Sequence, residues 1–120
     1  KERIHSSREQ LRALLKSLRR EGKRIVGYGA TAKSTILTNF CGIGPDLLEY
    51  ISDTTPTKQG KYSPGMHIPV VPYQRFAEAY PDYALLLAWN HGEEIMAKEQ
   101  DFRDQGGRFI VYIPEIKILD

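Results

Sequence analysis

Cysteine is almost missing: Cys41 is the single thiol among 120 residues. One thiol closes no internal disulfide and supplies no thiolate cluster for zinc, so a reducing cytoplasm is the simplest setting. Histidine is nearly as sparse, and His5, His67 and His91 are too scattered to make a metal site with a lone cysteine. Long hydrophobic runs are absent too: nothing approaches the ~20 apolar residues that cross a bilayer, which excludes a transmembrane helix. The charged opening does not read as a signal peptide. It also lacks an initiating Met, so the chain is expected to be an excised part of a longer protein. Charge of one sign is lacking as well. Seventeen Lys and Arg against fifteen Asp and Glu leave a net charge of +2, too little to point to nucleic acid. The basic residues between Lys1 and Arg24 are spaced as the solvated face of a helix. No nucleophile elbow, Walker lysine motif or acid pair at catalytic spacing is present.

The apolar content of 41% suffices for a core, and the length fits one domain spanning 1–120. Residues 1–22 read as a leading helix capped by Ser6 or Ser7. Leu11, Leu14, Leu15 and Leu18 recur there at helical spacing, and Gly22 ends it. Apolar, short runs predict strands at 25–28, 47–52, 68–71, 83–89 and 108–113. Between them helices are expected at 31–40, 72–80 and 92–105, the last closed by Gly106 and Gly107. Pro114 should stop regular pairing. Residues 54–67 are polar, rich in Pro and Gly, and long for a loop in a small domain. Strands that alternate with helices and are nearly continuously apolar indicate a parallel sheet covered on both faces. The fold class is therefore α/β: a small doubly wound, Rossmann-like domain of about five mostly parallel strands.

In such sheets ligands bind beyond the carboxyl ends of the strands. Here that rim begins with Gly27-Tyr28-Gly29-Ala30, followed by Lys33 on the next helix. Unpaired N–H groups at a helix start and the lysine charge suit a phosphate. The stretch fits a dinucleotide fingerprint only in its looser form, since Ala32 stands where the third glycine would be. Asp53 follows the second strand, where an acid accepts hydrogen bonds from ribose hydroxyls or else caps a turn. Lys58, Lys61 and Tyr62 lie on the long loop and offer point charges and an aromatic; a plain solvated loop would have the same composition. Asn90 follows the fourth strand and suits a helix N-cap. His91 has no visible acid–base partner.

Together these residues resemble a known family. Gly27-Tyr28-Gly29-Ala30-x-Ala32-Lys33, with Asn39 and Cys41-Gly42-Ile43, looks like the opening of the C-terminal domain of sugar C-methyltransferases. Three further blocks follow in order: Asp53-x-x-Pro56 through Pro69-Val70, then Ala88-Trp89-Asn90, then Gly106-Gly107-Arg108 through Pro114-Glu115. Thr31 and Ser34 depart from the commoner proline or serine and glycine of that pattern. The resemblance implies a domain that helps hold a nucleotide-linked keto-deoxysugar, with a thymidine-diphosphate sugar as the expected ligand. It implies Gly27, Tyr28, Gly29, Ala30, Lys33, Asp53, Lys58, Lys61, Tyr62 and Asn90 as substrate-binding residues, and none as catalytic. S-adenosylmethionine and zinc would belong to upstream domains, the central one performing methyl transfer in a cytoplasmic deoxysugar pathway. No cofactor is expected on this segment, which alone should be inactive. Two other readings remain. One is an NAD- or CoA-binding Rossmann module, favoured by the glycine turn and Asp53. The other is a structural domain that packs on its neighbour through Tyr73, Phe76, Tyr80 and Tyr83.

Overall fold

The structure, a computed structural model, describes residues 2–29, 38–39, 41–53, 60–62, 65–87, 92–112 and 116–119, with the backbone alone for 2–8 and 117. The leucine stripe folds as helix α1 (Glu2–Arg20), with Leu11, Leu15 and Leu18 buried and Leu14 partly so. Ser6 and Ser7 lie inside α1 rather than capping it. Glu2 and Arg3 are good helix formers, and a serine in a helix interior costs only about 0.5 kcal/mol. The far end is as expected: Gly22 N–H reaches the Arg19 carbonyl and Lys23 N–H the Leu18 carbonyl, both at 3.0 Å.

Strand β1 (Ile25–Tyr28) is buried along its whole length and forms the middle of a six-stranded sheet. β2 (Ile51–Asp53) and β3 (Val70–Pro72) lie to one side of it. β4 (Tyr83–Leu86), β5 (Arg108–Val111) and β6 (Lys117–Leu119) lie to the other, giving the order β3-β2-β1-β4-β5-β6. The first five strands are parallel, and β6 runs antiparallel to β5. Helices α2 (Tyr73–Glu78), α3 (Gly92–Lys98) and α4 (Gln100–Asp104) complete the described elements. This is the doubly wound, Rossmann-like order, with the chain reversing its direction of growth after β3.

Alternate residues of the strands feed two separate cores. Ile25, Ile51, Val70, Leu85 and Ile110 join the α1 leucines, Ile43, Leu47 and Leu48 on one face. Val26, Tyr28, Val71, Ala84, Leu86 and Phe109 meet Phe76 and Phe102 on the other. Phe76 is fully buried, and Tyr73 and Tyr80 pack against the same cluster while Tyr83 packs on the opposite core. Of the aromatics considered as a docking surface, Phe76 is thus core, and Tyr73, Tyr80 and Tyr83 are partly buried against the two cores.

Three expectations are corrected. The second strand begins later than residue 47, because Leu47 and Leu48 fold into a turn whose N–H groups both reach the Gly44 carbonyl at 3.0 Å. Ladder bonds to β1 start only with Glu49 N–H to the Ile25 carbonyl, at 3.0 Å. The expected helix over 92–105 is interrupted at Glu99, whose φ of −99° and ψ of 37° leave the helical region. Finally, β6 forms beyond Pro114, placing Leu119, Ile118 and Lys117 opposite Phe109, Ile110 and Val111. A proline ends one strand without forbidding the next, and a three-residue strand carries little periodicity of its own.

Candidate functional site at the carboxyl ends of the strands

β1 pairs with β2 on one side and β4 on the other, and the direction of winding switches between β1 and β4. In sheets of this order that switch point is where ligands bind, beyond the carboxyl ends of the strands. The chain there is tightly held. Leu87 N–H donates to the Tyr28 carbonyl at 3.0 Å, and Gly29 N–H donates to the Ser52 carbonyl at 2.8 Å. Gly29 has φ of +95°, a left-handed conformation that a side chain would penalise. It is the residue that turns the chain off the sheet.

Gly27 has a different reason to be glycine. A Cβ there would lie 2.9 Å from Leu87 Cδ1 and 3.0 Å from Ile51 Cγ1, so neighbouring side chains fill its space. The Tyr28 side chain turns away from the rim into the second core. Its ring stands edge-on to Phe76 at 5.4 Å and to Phe109 at 5.8 Å. Its hydroxyl donates to Glu99 Oε2 at 2.5 Å. Burial, then that hydrogen bond, pushes the Tyr28 phenol far above the ordinary tyrosine range.

Asp53 is the last residue of β2, half-buried and in register with Pro72 of β3. Because Ser52 receives the Gly29 N–H, Asp53 stands one strand away from the turn, on the same rim. Lys61 and Tyr62 are exposed and lie farther out. Val70 N–H donates to the Lys61 carbonyl at 2.7 Å, and Gly60 N–H to the Val70 carbonyl at 2.9 Å. Tyr62 also bridges to Pro69 in antiparallel fashion. The 60–62 segment therefore lines the outer side of β3, three strand spacings or about 14 Å from β1. Ala30, Lys33, Lys58 and Asn90 lie outside the described residues. The expected set thus divides into Gly29 with Asp53 at the middle of the rim and Lys61 with Tyr62 outside β3, opposite Val70 and Pro69 at that strand's amino end rather than on the rim.

Sequence reading missed Glu99, which is 1% exposed and takes a second hydrogen bond from the Tyr73 hydroxyl at 3.0 Å. The signal was available. Ile95, Glu99 and Phe102 are spaced four and three apart, so a carboxylate falls on the apolar stripe of its segment. It also missed the seat of Asn39, whose side chain lies so close over Gly65 that a Cβ there would fall 2.2 Å from Asn39 Oδ1. Gly65 itself has φ of +86°. That contact joins the segment after the glycine turn to the end of the long loop. Among the described residues no group of three or more His, Cys, Asp or Glu is arranged to hold a metal ion, and no helix is long and apolar enough to cross a membrane.

Residues 1–114 match the family described as the C-methyltransferase C-terminal domain. Over 112 residues the chain is 45% identical to the C-methyltransferase NovU of Streptomyces niveus. That similarity takes in 93% of this chain and 27% of the relative, so the chain spans about a quarter of the relative's length. The family match ends before β6.

Proposed function

This chain belongs to the C-methyltransferase C-terminal domain family, and we propose that it holds the nucleotide end of a nucleotide-linked deoxysugar while the sugar is methylated elsewhere in the enzyme. The observation that carries the proposal is Gly29, left-handed at the carboxyl end of the central strand, where the winding switches. In sheets of this order a glycine turn at that place brings backbone N–H groups close to a pyrophosphate. Lys33, four residues on, supplies a full charge to the same group. Asp53, one strand over, takes the ribose hydroxyls. Lys58 and Asn90 complete the rim in this reading, and Lys61 and Tyr62, outside the edge strand β3, reach the far end of an extended ligand. S-adenosylmethionine, the methyl donor, and zinc belong in this reading to other parts of the enzyme, as does the base that enolises the sugar. The relative's length leaves ample room for them. The setting is the cytoplasm.

Calorimetric titration with a thymidine-diphosphate sugar tests the proposal. Saturable binding is expected with a Kd below about 1 mM, equivalent to roughly −4 kcal/mol. Lys33→Ala should weaken it by about tenfold or more, the usual worth of a hydrogen bond to a charged group. Absence of binding at millimolar ligand in folded protein would refute it. NADH belongs in the same experiment, because the strand order and Asp53 also favour a dinucleotide. NADH binding tighter than the nucleotide sugar would replace this reading with that one.

A further inference from the structure

Glu99 is a buried carboxylate that no reading of the rim uses. It sits between α3 and α4, 1% exposed, against the aromatic and aliphatic residues of the second core. The backbone departs from helical geometry at this one residue, although Glu99 N–H still reaches the Ile95 carbonyl at 2.9 Å and Arg103 N–H the Glu99 carbonyl at 3.2 Å. A carboxylate in such a place is tolerated only when hydrogen-bonded. Each oxygen has one phenol: Tyr28 on Oε2 at 2.5 Å and Tyr73 on Oε1 at 3.0 Å. The shorter contact falls in the range of a charge-assisted O–H···O bond. The Lys98 ammonium lies 4.4 Å from the centre of the Tyr73 ring and closes the far side.

Apolar side chains of similar volume often serve a core as well as a buried polar group does, so stability alone does not account for a carboxylate here. Its placement does. Tyr28 is the last residue of β1 and immediately precedes Gly29. Its carbonyl is held by Leu87, just past the end of β4, and the next amide is held by Ser52 on β2. The Glu99 bond adds the third direction, out of the sheet, and fixes the residue from which the left-handed turn springs. Tyr73 opens α2 directly after Pro72 at the end of β3, so one carboxylate gathers the crests of two strands. We propose that Glu99 is a positioning residue: acting through the Tyr28 hydroxyl, it sets the orientation of the Gly29 turn toward the ligand. The inference rests on the reading of that turn as the phosphate site.

Amide hydrogen exchange in the full chain, compared among wild type, Tyr28→Phe, Glu99→Gln and Tyr73→Phe, tests it without ligand. The readout is protection of the Gly29 amide relative to the Leu85 amide, a ratio that a uniform loss of stability leaves unmoved. Tyr28→Phe and Glu99→Gln should lower the ratio by about fivefold or more, the factor expected for loss of one typical hydrogen bond. Tyr73→Phe, which removes the other phenol, should leave it unchanged. Affinity for thymidine diphosphate should fall with the ratio in the first two variants and hold in the third. An unchanged ratio in Tyr28→Phe, which deletes one oxygen and retains the ring, would overturn the proposal. So would an equal fall in all three variants. A fall confined to the first two in a protein that binds no thymidine diphosphate would uphold the hold of Glu99 on the turn and defeat the phosphate reading instead.

Discussion

A methyl group placed on Gly27 would press on Leu87 and Ile51 within 3.0 Å, whereas one placed on Gly29 would be strained by a φ of +95°. The two glycines therefore fail differently. Gly27→Ala overpacks the face of the sheet covered by α1 and should cost about 1–3 kcal/mol of stability. Its affinity for a nucleotide sugar should be kept wherever the protein is folded. Gly29→Ala should cost about 1–2 kcal/mol through its left-handed backbone and lose ligand affinity besides. Thermal melts paired with titrations separate the two outcomes, and equal loss of affinity in both variants would contradict the assignment. The glycine pattern in the sequence marked the turn that follows β1. It did not tell a packing glycine from a turning one, because that distinction depends on Leu87 and Ile51, which are distant in the chain. Tyr28 was ambiguous for a related reason. A residue at the end of a strand points to the rim or to the core according to the parity of the pleat, and only the Glu99 bond and the surrounding rings settle which.

The elements are joined at their amino ends by a different kind of contact. Arg24, just before β1, forks onto Glu49 with Nε and Nη2 each 3.0 Å from a carboxylate oxygen, and its backbone N–H donates to Asp82 Oδ2 at 2.7 Å. The Glu49 hydrogen bond, ahead of the opposing effect of burial, raises the Arg24 guanidinium above its usual value. Both side chains remain roughly a third or more exposed, so water and salt screen the pair. Glu49→Gln should therefore cost only about 0.2–1 kcal/mol in urea unfolding. The difference should shrink at high ionic strength. A loss of several kcal/mol would mean that the pair organises the sheet. Helical and strand periods located most of these elements, because α1, β1, β4 and β5 each display an uninterrupted apolar pattern. Their limits were less legible. Leu47 and Leu48 are as apolar as a strand yet belong to a turn on Gly44, and the break at Glu99, with no Gly or Pro beside it, coincides with hydrogen bonds from Tyr28 on β1 and Tyr73 on α2. The closing turn of α4 was legible. Gly106 N–H meets the Arg103 carbonyl at 3.1 Å and Gly107 N–H the Phe102 carbonyl at 2.9 Å, the paired bonds by which a left-handed glycine ends a helix.

For the whole molecule, the second core is an aromatic cluster whose tyrosines hold their protons. Tyr28 and Tyr73 are raised first by burial and then by their bonds to Glu99, and burial pushes Tyr112, over the other core, up to about 12. A phenol whose folded value lies above its unfolded value binds its proton more tightly in the native state. Its stabilising contribution is complete below the unfolded value of 10.0 and is lost as pH rises through the folded one. Stability should accordingly fall between about pH 10 and pH 12, with tyrosinate absorbance appearing in step with unfolding. Free titration of Tyr28, Tyr73 and Tyr112 while the protein remains folded would contradict the described packing. The doubly wound order was legible from alternation alone, since continuous apolar strands between helices leave few other arrangements. The short antiparallel β6 and the three-strand distance from the glycine turn to Lys61 were not. Both follow from pairings at the edges of the sheet, where local composition carries little signal. The central claim is that ligand meets this protein at the switch point. Titration of isotope-labelled protein with a thymidine-diphosphate sugar, followed by amide chemical shifts, tests it most directly. The expected result is a change greatest at Gly29 and its neighbours through Lys33, with Asp53 responding on the same rim. A response centred on Arg24, Glu49 and Asp82 at the opposite ends of the strands, or none in a folded protein at millimolar ligand, would contradict it.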